Sequence, residues 1–282
     1  MGEEILRDIK HKKIVLITGS SSGMGRACAK FLSENGFIVY AGTRDITKLQ
    51  DIKNKNLIPI SLDIKNNKNI IDVTQQIISK HKKIDILLNN AGYGLVSTLE
   101  DVSEDEMMEQ FNINVFGLLR VTKSVIPHMR KSNSGIIINI SSFLGKIGLP
   151  LLTMYNSSKY AVEGITDSLR YELSLFNIRV HSIMPGFFDT NFAKTNLQTN
   201  AKTFLETSPY SSLVSNLAPT IVNQINNGND ANEVAKMVLN IIEDDKFPPR
   251  ATIGDKAKKF IPMKKELSDE DFERRVRNYY NL

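Results

Sequence analysis

The chain has 282 residues, 41% of them hydrophobic and 24% charged, with a net charge of +5 at pH 7. A chain of this size can bury a sizeable core, and its single cysteine, Cys28, excludes a disulfide framework or a multi-cysteine metal cluster. Lysines and arginines are interleaved with acidic residues as on a solvated surface, which argues against nucleic acid as a partner. The four histidines show no metal-ligand spacing, so no metal site is expected.

The opening Met1-Gly2-Glu3-Glu4-Ile5-Leu6 is charged and lacks the apolar core of a leader, and no run approaches the ~20 apolar residues of a membrane span. A cytoplasmic protein is expected. The first predicted strand, 13–18, carries Ile14-Val15-Leu16-Ile17 into Thr18-Gly19-Ser20-Ser21-Ser22-Gly23-Met24-Gly25, and a helix follows at 24–35. Strand, glycine turn and helix together suit a dinucleotide phosphate: small residues admit the pyrophosphate and the helix N-terminus faces it with unpaired N–H groups. Cys28 falls on that helix, where a packed thiol is expected rather than a reactive one.

Further strands are predicted near 38–42, 57–61, 84–89, 135–140, 178–184 and 250–254, with helices near 67–80, 104–131, 154–176 and 230–243. The alternation predicts an α/β fold, a doubly wound, Rossmann-like, seven-stranded parallel sheet with helices on both faces and ligands at the strands' carboxyl ends. From Phe187 to about Gly228 the rhythm lapses into apolar residues amid Asn, Ser and Thr, which reads as an active-site lid. After Gly254 comes a basic extension, about 255–282, with a helix-start signal at Ser268-Asp269-Glu270-Asp271. The whole is expected to be one domain, 1–282.

Tyr155 and Lys159 stand four apart on the helix 154–176, thirteen residues after Ser142. That spacing stacks the phenol and the ammonium on one face, about 5–6 Å apart at Cβ, where the cation would lower the pKa of a tyrosine otherwise near 10. The pair reads as a proton-transfer apparatus.

Taken in order, Thr18 to Gly25, Asp63, Asn89-Asn90-Ala91-Gly92, Asn114, Ser142, Tyr155, Lys159 and Pro185-Gly186 with Thr190 resemble the short-chain dehydrogenase/reductase family, single-domain type, from about Ile14 to about Gly254. The region Val39 to Asp45 and the tail look nearest the steroid- and retinoid-active branch. The resemblance implies Tyr155 as general acid and base, Lys159 to lower its pKa, Ser142 to orient the substrate oxygen, and Asn114 to hold a water leading to Lys159. It implies cofactor contacts from Gly19, Ser21, Ser22, Gly23, Met24 and Gly25, from Thr43, Arg44, Asp63 and Ile64, from Asn90, Ala91 and Gly92, from Tyr155 and Lys159, and from Pro185, Gly186, Phe188 and Thr190. Helices 104–131 and 154–176 commonly make dimer contacts in this family, which implies a homodimer or homotetramer.

At the end of the second strand, Thr43 stands where an acid would bind the ribose of NAD, and Arg44 follows with a fork suited to a phosphate. NADP(H) is therefore favoured over NAD(H); the alternative is Asp45 as the ribose-binding acid with the strand end displaced by two residues. Tyr93, Phe143, Leu149, Phe187 and Phe192 would make an apolar substrate wall for an aldehyde, ketone, steroid or retinoid, reduced to or formed from its alcohol. Two other readings remain open: a 3-oxoacyl-[acyl-carrier-protein] reductase, and a non-catalytic NADP-sensing binding protein.

Overall fold

The computed structural model describes residues 13–190 and 196–282. Seven strands, β1 (Ile14–Thr18), β2 (Ile38–Thr43), β3 (Leu57–Ser61), β4 (Ile86–Asn89), β5 (Gly135–Ile140), β6 (Ile178–Pro185) and β7 (Arg250–Ile253), form one sheet. Their order is β3-β2-β1-β4-β5-β6-β7, and every neighbouring pair is parallel. The chain therefore leaves β1 toward β2 and β3, then returns to the other side of β1 with β4. Crevices open at such reversals, beyond the strands' carboxyl ends.

Both faces of the sheet are apolar, as parallel strands need. Val15, Ile17, Val39, Ala41, Ile86 and Leu88 face helices α1 (Gly23–Glu34) and α7 (Ala231–Glu243). Their neighbours Ile14, Leu16, Tyr40, Leu87 and Ile137 face α2 (Asn67–His81), α4 (Leu118–Lys131) and α5 (Thr153–Ser174). This period of two is the reason for near-continuous β-branched runs. Cys28 is buried in the first of these layers, where burial pushes its thiol up to about 12.

Three differences from the sequence reading have physical causes. The helix expected over 104–131 is α3 (Glu104–Phe111), a π turn (Asn112–Gly117) and α4; a single widened turn leaves the apolar period nearly intact. Within the irregular stretch after Phe187 lies a four-turn helix, α6 (Ser211–Asn226), whose Leu217, Ile221 and Ile225 are buried at a spacing of four. Pro219 and the lack of any side-chain cap hide it. The basic extension is α8 (Asp255–Glu266) and α9 (Asp269–Tyr280). In α8 the buried Ala257, Phe260 and Ile261 form a stripe between the lysines; in α9 Ser268 caps the Asp271 N–H at 3.1 Å.

Helices α6, α8 and α9 build a third core over the end of the sheet, with Val96, Phe143, Leu144, Leu152 and Met184 below and Phe260, Phe272, Val276 and Tyr280 above. An aromatic series runs through it: Phe187 meets Phe143 edge-on at 5.3 Å, Phe143 stacks on Phe260 at 6.3 Å, and Phe260 stacks on Tyr280 at 6.1 Å. The tail thus packs behind Phe143, which lines the crevice.

Candidate active site

The turn after β1 is shaped by what it must lie beside. Gly19 has φ +70°, and a Cβ there would come within 2.7 Å of the Ala91 Cα. A Cβ on Gly25 would run into the Asn90 amide and the Gly19 carbonyl. The Thr18 hydroxyl accepts from the Asn90 and Ala91 N–H groups, each at 3.0 Å, and the Asn90 amide donates to the Gly19 carbonyl at 2.9 Å. Two strand ends are thereby locked together at the reversal point. The N-cap of α1, Ser22, makes no side-chain capping bond and the first turn holds no acid, so the helix end keeps its N–H groups for an anion.

A cleft of about 390 Å³ runs from this turn to α5. Gly19, Ser21, Ser22, Gly23, Met24, Thr43, Arg44, Asp63, Ile64, Asn90, Ala91 and Gly92 line one end; Tyr155, Lys159, Ser142, Pro185, Gly186, Phe188 and Thr190 line the other. Thr43 ends β2, and Asp45 is occupied elsewhere: its carboxylate accepts from the Thr47 N–H at 3.0 Å and hydroxyl at 2.6 Å. Arg44 enters the cleft and Asp45 does not. These residues fit a dinucleotide, since a backbone free of side chains and an uncapped helix end meet in one trough.

At the far end Tyr155 pairs with the Ser142 side chain. The Ser142 hydroxyl also accepts from the Leu144 N–H at 3.1 Å, which caps the short turn Phe143–Gly145 and fixes the side chain. Lys159, 6% exposed, donates to the Ile140 carbonyl at 2.9 Å. Burial pushes the phenol up to about 12, opposed by its bond to Ser142. The Lys159 ammonium is brought down to about 8 by burial, opposed by Glu163. Lys159 is aimed otherwise than the spacing suggested. Its Nζ lies 5.7 Å from the ring centre and serves the Ile140 carbonyl, while the ring packs into the apolar third core.

Asn114 sits in the π turn and clamps the site from behind. Its amide oxygen accepts from the Tyr93 N–H at 3.0 Å, and its nitrogen donates to the Tyr93 carbonyl at 2.9 Å and the Ser158 hydroxyl at 3.0 Å. The loop after β4 and helix α5 are joined through this one side chain. A buried chain does the same one layer deeper: the Asn89 amide donates to Thr122 and Asn139, and Asn139 donates to Thr166, each at 2.9 Å.

Residues 13–201 match the short chain dehydrogenase family. The chain belongs to that family. It is 41% identical over 180 residues to a 3-ketodihydrosphingosine reductase of Bacteroides thetaiotaomicron, a match covering 64% of this chain and 65% of that protein; this is just under two thirds of the relative's length. A short-chain dehydrogenase from Streptomyces avermitilis has the same fold, with a TM-score of 0.80 and 30% identity over 95% of this chain and 96% of that one. The structure of ElxO with NADP bound aligns with a TM-score of 0.70 and 25% identity, over 85% and 96% of the two chains. As a short-chain dehydrogenase/reductase this protein is an oxidoreductase with a dinucleotide cofactor.

The substrate end of this family member's cleft departs in part from the sequence reading. Tyr93, Phe143 and Phe187 line it, but Leu149 does not: it is buried in the third core, and its carbonyl accepts from the Asn156 amide at 3.1 Å. Phe192 lies outside the described residues. Gly25 and Asn114 support the walls from behind. Sequence reasoning missed Ala218, Ile221, Val222 and Ile225, an apolar stripe of α6 that faces the cleft; the signal was the i, i+3, i+4, i+7 spacing itself.

The stretch from Leu197 to Phe204, of which Leu197, Gln198, Thr199 and Phe204 line the cleft, is fastened to the chain after β4. Leu197–Thr199 pairs in parallel with Gly94–Val96. The Thr203 hydroxyl, fully buried, donates to the Asp101 carboxylate at 2.7 Å and accepts from the Thr98 N–H at 3.2 Å. Thr203→Val keeps the shape and removes these two bonds together with a third, to the Ser97 hydroxyl at 3.3 Å. It is expected to lower stability by about 1–3 kcal/mol, read as a lower urea midpoint.

Proposed function

We propose that this protein is an NADP(H)-dependent reductase and dehydrogenase that interconverts a carbonyl and an alcohol on a mainly apolar small molecule. The observation that carries the reading is the convergence of Tyr155, Ser142 and Lys159 at the inner end of a cleft whose outer end is the glycine turn. A nicotinamide cofactor supplies the hydride when bound. The protein's part is to deliver a proton and to stabilise charge on the substrate oxygen. Ser142 orients that oxygen and Tyr155 donates its proton to it. A phenol held protonated by burial suits the reducing direction. Lys159 offsets the negative charge left on Tyr155, and Asn114 holds the water that returns a proton.

For the cofactor, support comes from Arg44 in the cleft, from the carboxylate of Asp45 turned into its own capping bonds, and from the NADP bound by ElxO. Arg44→Asp is expected to weaken NADPH binding by about 10- to 100-fold, the worth of a charge-assisted hydrogen bond, and to shift preference toward NADH. Equal use of the two cofactors by the native protein would reject the assignment.

The substrate assignment rests on the walls: Phe143, Leu144, Leu151, Leu152 and Phe187 on one side and the α6 stripe on the other. Long-chain or aromatic aldehydes, ketones, steroids and retinoids all suit them. A relative named for reducing 3-ketodihydrosphingosine agrees with a ketone. The described parts of the segment 187–228, residues 187–190 and 196–228, serve as the lid of this pocket. The protein works in the cytoplasm as a homodimer or homotetramer through the helices of 104–131 and 154–176, where Met108, Phe116, Tyr171 and Leu175 are exposed. Following NADPH absorbance over a panel of carbonyl compounds tests the whole reading; apolar ketones or aldehydes should be consumed well ahead of small polar ones.

A further inference from the structure

The face of α5 that carries Tyr155 and Lys159 continues with Glu163, one turn beyond the lysine. Glu163 is 2% exposed. Its Oε2 receives Arg250 Nε at 2.6 Å and Lys146 Nζ at 3.4 Å, and Arg250 in turn holds Asp167 at 2.5 Å. Its Oε1 is buried without a hydrogen-bond partner among the described residues. The turn Phe143–Gly145 presses in between: a Cβ on Gly145 would lie 2.9 Å from the Lys159 carbonyl and 3.2 Å from Glu163 Cγ.

We infer that Glu163 is a positioning residue for Lys159, a buried counter-charge that keeps the ammonium charged and in place beside Tyr155. The inference rests on the reading of Lys159 as a working part of the site. The four charges of the cluster sum to zero, but they are not equally screened. Glu163 has 3% of its side chain exposed, against 28% for Arg250, 35% for Lys146 and 45% for Asp167. The carboxylate therefore acts through protein while its partners are damped by water, which leaves it a buried counter-charge one helical turn from Lys159. Among the described residues the groups shown beside Lys159 are neutral: Tyr155 on α5, the Ile140 carbonyl at the end of β5, and Asn114 from the π turn. Facing Glu163 are Lys146 after the short turn, Arg250 on β7, and Lys159 and Asp167 on α5. Burial already brings Lys159 down to about 8, and Glu163 opposes that fall.

The test pairs two variants of opposite sign. Glu163→Gln should move the alkaline limb of the kcat/KM profile down by about one pH unit, because the ammonium loses its proton earlier, and Glu163→Asp should restore it. Arg250→Gln, which removes a cation and leaves the carboxylate, should move the limb up. Asp167→Asn, which loosens Arg250 but spares Glu163, should leave the profile in place. The ionisation of Lys159 is read directly by NMR of protein labelled with 13Cε-lysine, its resonance assigned by loss in Lys159→Met. Movement of that titration in Glu163→Gln supports the coupling even where no carbonyl is turned over, an outcome that would sink the proposed activity alone. A Lys159 titration that superimposes in native protein, Glu163→Gln and Arg250→Gln, or shifts the same way in both variants, overturns the inference.

Discussion

Tyr155→Phe is expected to lower turnover of a carbonyl substrate by about 10²- to 10⁴-fold, the usual worth of one positioned proton donor, while NADPH still binds. The variant removes one oxygen and keeps the ring, so packing against the third core survives. Ser142 loses its bond to the phenol but retains the Leu144 N–H, so its rotamer is still fixed. The loss should therefore fall on kcat, because the interaction removed matters most as the proton moves. Two measurements decide: NADPH titration by fluorescence, expected unchanged, and single-turnover rates with an apolar ketone. A variant that turns over at the native rate would remove Tyr155 from the chemistry and leave Ser142 or a water as donor.

The same residues show what a sequence does and does not reveal. The central strands were legible because both faces are buried: Ile14 to Ile17 and Ile136 to Ile138 have no solvent side to break the run; the edge strand β3 was legible from its apolar residues although Pro59 and Ser61 are exposed. The end of β2 was legible to one residue, expected at Gly42 and found at Thr43, because Arg44 and Asp45 cannot continue a buried strand. Helix α6 was hidden, since its formation depends on tertiary burial of Leu217, Ile221 and Ile225 and its local signals, Pro219 and an uncapped start, argue otherwise. The spacing of Tyr155 and Lys159 gave their shared face but not the aim of the ammonium. That aim is set by the Ile140 carbonyl, which lies nineteen residues away in sequence and meets the lysine only through the fold. Leu149 failed for a related reason: in a stretch where nearly every residue is apolar, hydrophobicity cannot tell pocket wall from core.

Gly19→Val is expected to abolish dinucleotide binding and to cost several kcal/mol of stability. A β-branched residue at φ +70° carries about 1–2 kcal/mol of backbone strain before any contact is considered. Contact is the larger cost, because the new Cβ would stand 2.7 Å from a backbone atom, the Ala91 Cα, which cannot swing aside as a side chain could. Moving Ala91 would break the bonds from the Asn90 and Ala91 N–H groups to the Thr18 hydroxyl, the lock between the two strand ends. The turn must then open into the trough where the pyrophosphate would lie. Gly164→Ala is the matching control: that glycine lies within α5 with nothing within 4 Å of an added Cβ. Replacing it should stabilise the protein by about 0.5–1 kcal/mol, the helix-propensity difference, and leave cofactor binding unchanged. Thermal melts and NADPH titration of both variants check the pair. Native-like NADPH affinity in Gly19→Val would mean that the cofactor does not approach this turn, and the assignment of the cleft's outer end would fall with it.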